Sequence, residues 1–225
     1  MTQPVLGVLF GGKSDEHEVS LLSAAAILSA LDREGIPRLA LRMDREGRLS
    51  LFSGGVAAVA NDSLSDDPSF LSPADLVRGG LLLRNGGGFL PLAGILPAVH
   101  GGMTEDGRLQ GALDLLGIPY AGSGTEACAL SMNKSLTKTL LSSVGIPVAG
   151  GFPALADDDA ETAERVEAAL PYPVFVKPAR SGSSIGAGIA RNRAELFARI
   201  ADAKRTDRLL LFEQERERTD CVAPR

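Results

Sequence analysis

The run Val5-Leu-Gly-Val-Leu-Phe10 contains no polar side chain and stops at the pair Gly11-Gly12. A strand with one wet face alternates apolar and polar residues. An unbroken apolar run therefore predicts a strand buried on both faces, the usual state of a parallel strand under helices. From Glu18 onward the apolar residues Val19, Leu22, Ala26, Ile27, Ala30 and Leu31 recur at helical spacing, and Gly35 and Pro37 end the pattern. A second strand is expected over 38–43 and a third over 94–100, with hairpins or loops over 44–93. A short amphipathic helix over 106–116 and a short strand over 118–121 follow. This alternation predicts an α/β fold, a doubly wound parallel-sheet domain. Ligands of such sheets gather at the carboxyl ends of the strands, where Gly11-Gly12 and His100-Gly101-Gly102 both fall.

The second half reads as α+β. It predicts a helix over 131–143, a strand over 148–152, an acidic helix over 159–169 and strands over 174–177 and 185–190. Asn192 is placed to cap a helix running through 203, and a last strand follows over 208–213. The expected arrangement is an antiparallel sheet covered on one face. The domains are expected at 1–125 and 126–225, with the boundary inside 122–132.

Within the second half, Lys177 sits in an apolar strand and is followed by Ser181-Gly182-Ser183-Ser184. An ammonium in such surroundings needs an anion. Glycine lets backbone N–H groups approach a ligand closely, and serine adds donors. A plain turn with Lys177 reaching to solvent is the other reading. The lysine precedes the glycines, so this is neither a P-loop nor a dinucleotide fingerprint. Lys134 is expected at a helix start, where a cation opposes the helix dipole unless it faces an anion. Asp15-Glu16-His17-Glu18 enters the first helix either as a capping cluster or as a captor of a substrate ammonium. His100 ends an apolar strand beside Glu105 and Asp106, as a structural residue or as an orienting acid/base group.

Composition narrows the classes. The 225 residues carry a net charge of -5, which argues against general nucleic-acid binding. Two cysteines far apart and two histidines make no metal pattern. The N-terminus shows no basic stretch followed by a long apolar run and no apolar stretch is of bilayer length, so no signal peptide is expected and the chain is expected to be cytoplasmic with no membrane partner.

Several ordered motifs then carry a resemblance. Phe10-Gly-Gly-Lys-Ser-Asp-Glu-His-Glu-Val-Ser20 resembles the N-terminal signature of the D-alanine–D-alanine ligases of the ATP-grasp superfamily. His100-Gly-Gly-Met-Thr-Glu-Asp-Gly-Arg-Leu-Gln-Gly111 resembles their second signature. Gly117-Ile-Pro-Tyr-Ala-Gly-Ser-Gly124, Met132-Asn-Lys134 and Phe175-Val-Lys-Pro-Ala-Arg-Ser-Gly-Ser-Ser-Ile-Gly186 continue the family's order. The resemblance implies an N-terminal pre-ATP-grasp domain and the first ATP-grasp subdomain. It implies that Glu16 binds the ammonium of a first D-alanine, that His100 lies beside that substrate's carboxylate, and that Lys134 and Lys177 contact ATP phosphates. Ser183 and Ser184 would belong to the loop over the phosphates, with Ser183 also holding Glu16. Glu213 and Gln214 would form the strand end that reads adenine. The implied cofactors are ATP and Mg²⁺, and the implied assembly is a homodimer. The implied reaction is phosphorylation of the first D-alanine's carboxylate to an acyl phosphate, then attack by the amine of the second, for peptidoglycan precursors.

Two positions depart from the family pattern: Thr104 stands where glycine is common and Asn133 where aspartate is usual. Residues 215–225 are only loosely similar to the family. The metal ligands and the loop completing the second substrate site are expected beyond the sequence, so little turnover is expected of these residues alone. The alternatives are a D-alanine–D-lactate ligase of the vancomycin-resistance type, a non-catalytic nucleotide-binding fragment, and another ATP-grasp ligase.

Overall fold

The computed structural model describes residues 4–61 and 66–214. The chain forms two compact units, one ending at Ala129 and the next beginning at Leu130.

In the first unit, β1 (Val5–Gly11) pairs in parallel with β2 (Arg38–Met43) on one side and β6 (Gly88–Pro97) on the other. The strands β3 (Leu49–Phe52), β4 (Leu71–Val77) and β5 (Gly80–Leu83) run antiparallel between β2 and β6 and close the sheet into a barrel. The parallel pairing is thus confined to β2–β1–β6, and the segment read as hairpins or loops supplies the rest of the wall. Two cores explain the unbroken apolar run of β1. Val8 and Phe10 pack under α1 (His17–Arg33) with Leu21, Ala24 and Leu28. Leu9 points the other way, into a cluster with Leu41, Leu81 and Ile95 that includes Leu109 and Leu113 of α3 (Arg108–Leu116). A one-turn helix α2 (Val56–Val59) adds Val59 to the α1 side. Arg42 of β2 is buried, and its charge is offset by an ion pair with Asp66.

In the second unit a four-stranded sheet has the order β7 (Gly151–Leu155), β10 (Leu209–Gln214), β8 (Val174–Pro178), β9 (Gly188–Ala190), all neighbours antiparallel. One face carries Val174, Val176, Leu210 and Phe212. These pack against α6 (Asp159–Ala169) and α7 (Arg193–Lys204), chiefly through Ala163, Val166, Leu196 and Ile200. Because strand residues alternate, Phe175, Lys177, Leu211 and Glu213 fall on the opposite face. Side chains of Asp158 and Asn192 cap α6 and α7 by accepting backbone N–H bonds.

Several boundaries differ from expectation: the strand expected over 94–100 is β6, which begins at Gly88, and the strand expected over 118–121 is reduced to a single bridge between Tyr120 and Ile95. The helix expected over 131–143 is two helices, α4 (Thr125–Met132) and α5 (Lys134–Ser143), parted at an extended Asn133. The strand expected over 148–152 is β7, displaced toward the C-terminus and containing Pro153. β7 is a sheet edge, where a missing N–H is tolerated. The strand expected from 185 begins only at Gly188, because Ser183, Ser184 and Gly186 all have positive φ and belong to a turn.

Candidate functional site

Two groups of side chains stand out, one in each unit. In the first unit, Gly11 ends β1 with φ +86°, and a Cβ there would lie 2.2 Å from the Met43 carbonyl oxygen. Only glycine allows the chain to turn so tightly off the strand into α1. Glu16 takes the N-cap position of α1, yet its side chain makes no capping bond to the helix. Its carboxylate instead lies against Gly101, where a Cβ would meet Oε2 at 2.4 Å and where φ is +70°. The loops after β1 and β6 therefore close on each other. A further bond ties them: Ser14 Oγ donates to the His100 carbonyl at 2.5 Å.

His100 is held through one ring nitrogen, with a carboxylate near the other. Nε2 lies 2.8 Å from Ser23 Oγ on α1, and Nδ1 lies 3.6 Å from Glu105 Oε1. The ring is one-third exposed, so its position is set and it remains reachable from solvent. Ser23 and Ser14 escaped the sequence reading, since serines on a helix and in a loop carry no spacing signal. Thr104, in glycine's usual place, is buried and turns its hydroxyl onto the Gly101 carbonyl at 2.7 Å. The His100 loop thereby gains a bond.

In the second unit, the face opposite the helices holds a cleft of about 290 Å³ lined by Lys134, Lys138, Lys177 and Glu213 with Ser131 and Thr137. A larger cleft of about 520 Å³ shares Lys138, Val148 and Ala149 with it and is floored by Leu211 and Pro153. Register explains the cluster. Lys177 pairs with Leu211 across β8–β10 and Phe175 pairs with Glu213, so Lys177 and Glu213 are diagonal neighbours on one face. Lys177 Nζ lies 2.5 Å from Glu213 Oε2, and Lys138 Nζ bonds Oε1. Lys177 also sits 5.5 Å from the centre of the Phe175 ring. Burial alone would raise the Glu213 carboxyl, but hydrogen bonds from Lys138 and Lys177 outweigh it and hold the group below the usual range. Lys134 is held below the usual ammonium value, first by burial and next by the charge of Lys177. Three ammonium groups thus line one cleft with a single carboxylate that pairs with two of them, an arrangement suited to an anion.

The Ser181–Gly186 turn stands beside this cluster. Ser183 and Ser184 are consecutive left-handed residues at φ +45° and +58°, an uncommon conformation for side-chain-bearing residues. Consecutive residues of this kind form backbone concavities that receive anions. Lys134 ties this region to the cluster twice: its ammonium donates to the Ser181 carbonyl in the turn, and its amide donates to the Ala179 carbonyl just before it at 2.9 Å. The base of the turn is fixed by Asp207, which takes Arg180 in a two-pronged ion pair. Asn133, replacing the usual aspartate, still caps α5 by accepting from the Ser135 and Leu136 amides. Gln214 ends β10, exposed and next to the buried Glu213.

The structure thus places Lys134, Lys177 and Glu213 together, with Ser183 and Ser184 in the adjoining turn. It places Glu16 and His100 on adjoining loops of the first unit. Lys138 and Asp207 were missed by the sequence reading. Among the described residues, no three His, Cys, Asp or Glu side chains gather to hold a metal. Glu213, with both oxygens taken by lysines, is a poor donor for a hard cation.

Comparison with known families decides the relationship. The model of the D-ala D-ala ligase N-terminus matches residues 5–123, and that of the D-ala D-ala ligase C-terminus matches residues 140–222. The chain belongs to the D-alanine–D-alanine ligase family. A D-alanine–D-alanine ligase of Thermoanaerobacter sp. is 34% identical over 95% of this chain and 61% of the relative. One of Chlorobium phaeovibrioides is 36% identical over 95% and 62%. The chain therefore spans about 60% of the length of these relatives. Among solved structures, the VanG D-Ala:D-Ser ligase of Enterococcus faecalis superposes with a TM-score of 0.88 at 30% identity, covering 96% of this chain and 64% of that one. The D-alanine–D-alanine ligase of Helicobacter pylori gives 0.81 at 28% identity over the same shares. No helix among the described residues is long and apolar enough to cross a membrane.

Proposed function

We propose that this member of the ligase family binds ATP in its second unit and D-alanine in its first, in the ATP-dependent joining of D-alanine to a second D-alanine. The product, D-alanyl-D-alanine, serves peptidoglycan precursor synthesis in the cytoplasm. On this reading residues 1–125 are the substrate and dimerisation domain, and 126–225 the first ATP-grasp subdomain.

The gathering of Lys134, Lys138 and Lys177 in one cleft with the single carboxylate of Glu213 carries the proposal. These four groups sum to a charge of about +2 in a half-buried cleft, where cations without enough counter-charge are costly. A polyphosphate supplies that counter-charge. The lysines would stabilise charge on the phosphoryl oxygens as it passes to the carboxylate of the first amino acid. The turn at Ser183 and Ser184 would cover the phosphates. Gln214 and the end of β10 would meet the base. In the first unit, Glu16 would hold the substrate ammonium while His100, braced by Ser23, would orient the substrate carboxylate. When bound, Mg²⁺ would screen phosphate charge.

A second reading keeps the ATP and D-alanine sites and changes the second substrate to D-lactate or D-serine. The likeness to the VanG D-Ala:D-Ser ligase favours it.

The test is calorimetric binding of ATP and of D-alanine to this chain, followed by turnover with product mass. ATP binding that weakens steeply with salt, and D-alanine binding weakened by roughly tenfold or more in Glu16→Gln, are expected. No ATP binding at millimolar concentration would overturn the proposal. D-alanyl-D-alanine as product would exclude the second reading, and a depsipeptide from D-lactate or the dipeptide D-alanyl-D-serine would establish it.

A further inference from the structure

We infer that Lys138 is a positioning residue that keeps Glu213 neutralised while Lys177 leaves it for a nucleotide phosphate. The inference rests on the ATP reading of the cleft.

Its basis is a division of labour on one carboxylate. Glu213 is buried, at 7% exposure. Lys177 takes Oε2 and Lys138 takes Oε1, so neither lysine displaces the other. The two cations arrive from different elements. Lys177 comes from β8, on the sheet itself, and Lys138 comes from α5, one helical turn after Lys134. Lys134 donates to a backbone carbonyl in the Ser181–Gly186 turn, and Lys177 lies close enough to lower its proton affinity.

An ammonium bonded to a carboxylate at 2.5 Å must give up part of that contact to reach a phosphate. Were Lys177 the sole partner of Glu213, its departure would leave a buried carboxylate uncompensated, which is strongly unfavourable. Lys138 removes that obstacle by holding the other oxygen throughout. It also lines each of the two clefts described above, so its own charge adds to the field a polyanion meets. Like charges four residues apart on a helix are unfavourable by themselves. The pair Lys134 and Lys138 is accommodated because each faces a separate acceptor, the Ser181 carbonyl and Glu213.

The experiment compares the unsubstituted chain with Lys138→Met and Lys138→Arg. Three quantities are read: affinity for ATP, affinity for a phosphate-free control ligand (adenosine), and the NMR signal of the Glu213 side-chain carboxyl. In Lys138→Met, ATP affinity is expected to fall by roughly 10- to 100-fold, with adenosine affinity changed little. The Glu213 carboxyl should then become easier to protonate, and Lys138→Arg should restore ATP affinity to within about threefold. ATP affinity in Lys138→Met equal to that of the unsubstituted chain would overturn the inference alone. A fall shared equally by adenosine, or no rescue by arginine, would show a structural role and also overturn it. Absence of ATP binding by the unsubstituted chain would remove the ATP reading, and this inference with it.

Discussion

Replacing Asp207 by alanine tests how the Ser181–Gly186 turn is held. The Asp207 side chain is 6% exposed and accepts four hydrogen bonds. Oδ2 receives the Arg180 amide at 3.0 Å and Arg180 Nε at 2.9 Å. Oδ1 receives Arg180 Nη2 at 2.7 Å and the Leu209 amide at 3.0 Å. Alanine leaves two backbone N–H groups without an acceptor, at about 1–3 kcal/mol each. The Arg180 fork is 56% exposed, so losing it adds at most about 1 kcal/mol. Water entering the vacated space offsets part of the sum, and about 3 kcal/mol is expected. Asp207→Asn keeps one acceptor oxygen and should cost about half as much. The assay is hydrogen exchange at β8 and β10 amides, because a global melt would mix the two units. Opening free energies at Val176 and Phe212 in Asp207→Ala within about 0.5 kcal/mol of the unsubstituted chain would refute the reasoning. Acid gives an independent check. Burial pushes the Asp207 carboxyl up, but Arg180 and the two amides more than offset it, so the folded value lies below 3.8. The stabilisation is therefore complete above pH 3.8 and lost as pH falls through the lower folded value. The gap between Asp207→Ala and the unsubstituted chain should narrow only in that acid window.

Three further outcomes are expected. Lys177→Ala should weaken ATP binding by roughly 10- to 100-fold, the loss of a charge-assisted bond, measured by titration calorimetry; unchanged affinity removes its assigned role. Glu16→Gln should raise the D-alanine concentration needed for half-saturation by roughly tenfold or more and leave ATP affinity alone, and a defect confined to ATP would contradict the placement. Gly11→Ala should destabilise the first unit by about 2 kcal/mol or more. It puts a Cβ 2.2 Å from the Met43 carbonyl oxygen and forces φ +86° on a residue that resists it; exchange rates at β1 amides equal to those of the glycine protein would refute this.

The elements with strong local signals were legible in the sequence. β2 runs Arg38–Met43 and the acidic helix runs Asp159–Ala169, each as its apolar period and bounding residues indicate. The losses occurred where position in the fold overrides local rules. Pro153 lies inside β7 because that strand is an edge, a fact of topology that no window of residues reveals. The barrel wall over β3 to β5 was read as hairpins or loops. Its strands are short and interrupted by polar and turn residues, and their pairing depends on the closed circuit rather than on any one of them. The helix break at Asn133 was foreshadowed by a residue that prefers a cap to a helix interior.

The site was legible where chemistry conflicts with its local surroundings. A lysine in an apolar strand and a lysine at a helix start each run against an elementary preference, and Lys177 and Lys134 do lie in one cleft. Lys138 ran against one too, four residues after Lys134 on the same helix, a like-charge spacing that needs an acceptor on each lysine. Its acceptor, Glu213, is 75 residues away, so only the folded chain shows it. Asp207 carried no conflict at all, because an aspartate before a strand is unremarkable. Its importance comes from where Arg180 and Leu209 converge. Residues that oppose their surroundings mark the charges that meet the ligand. Residues that merely satisfy their neighbours mark how those charges are held, and the second kind is visible only in the folded chain.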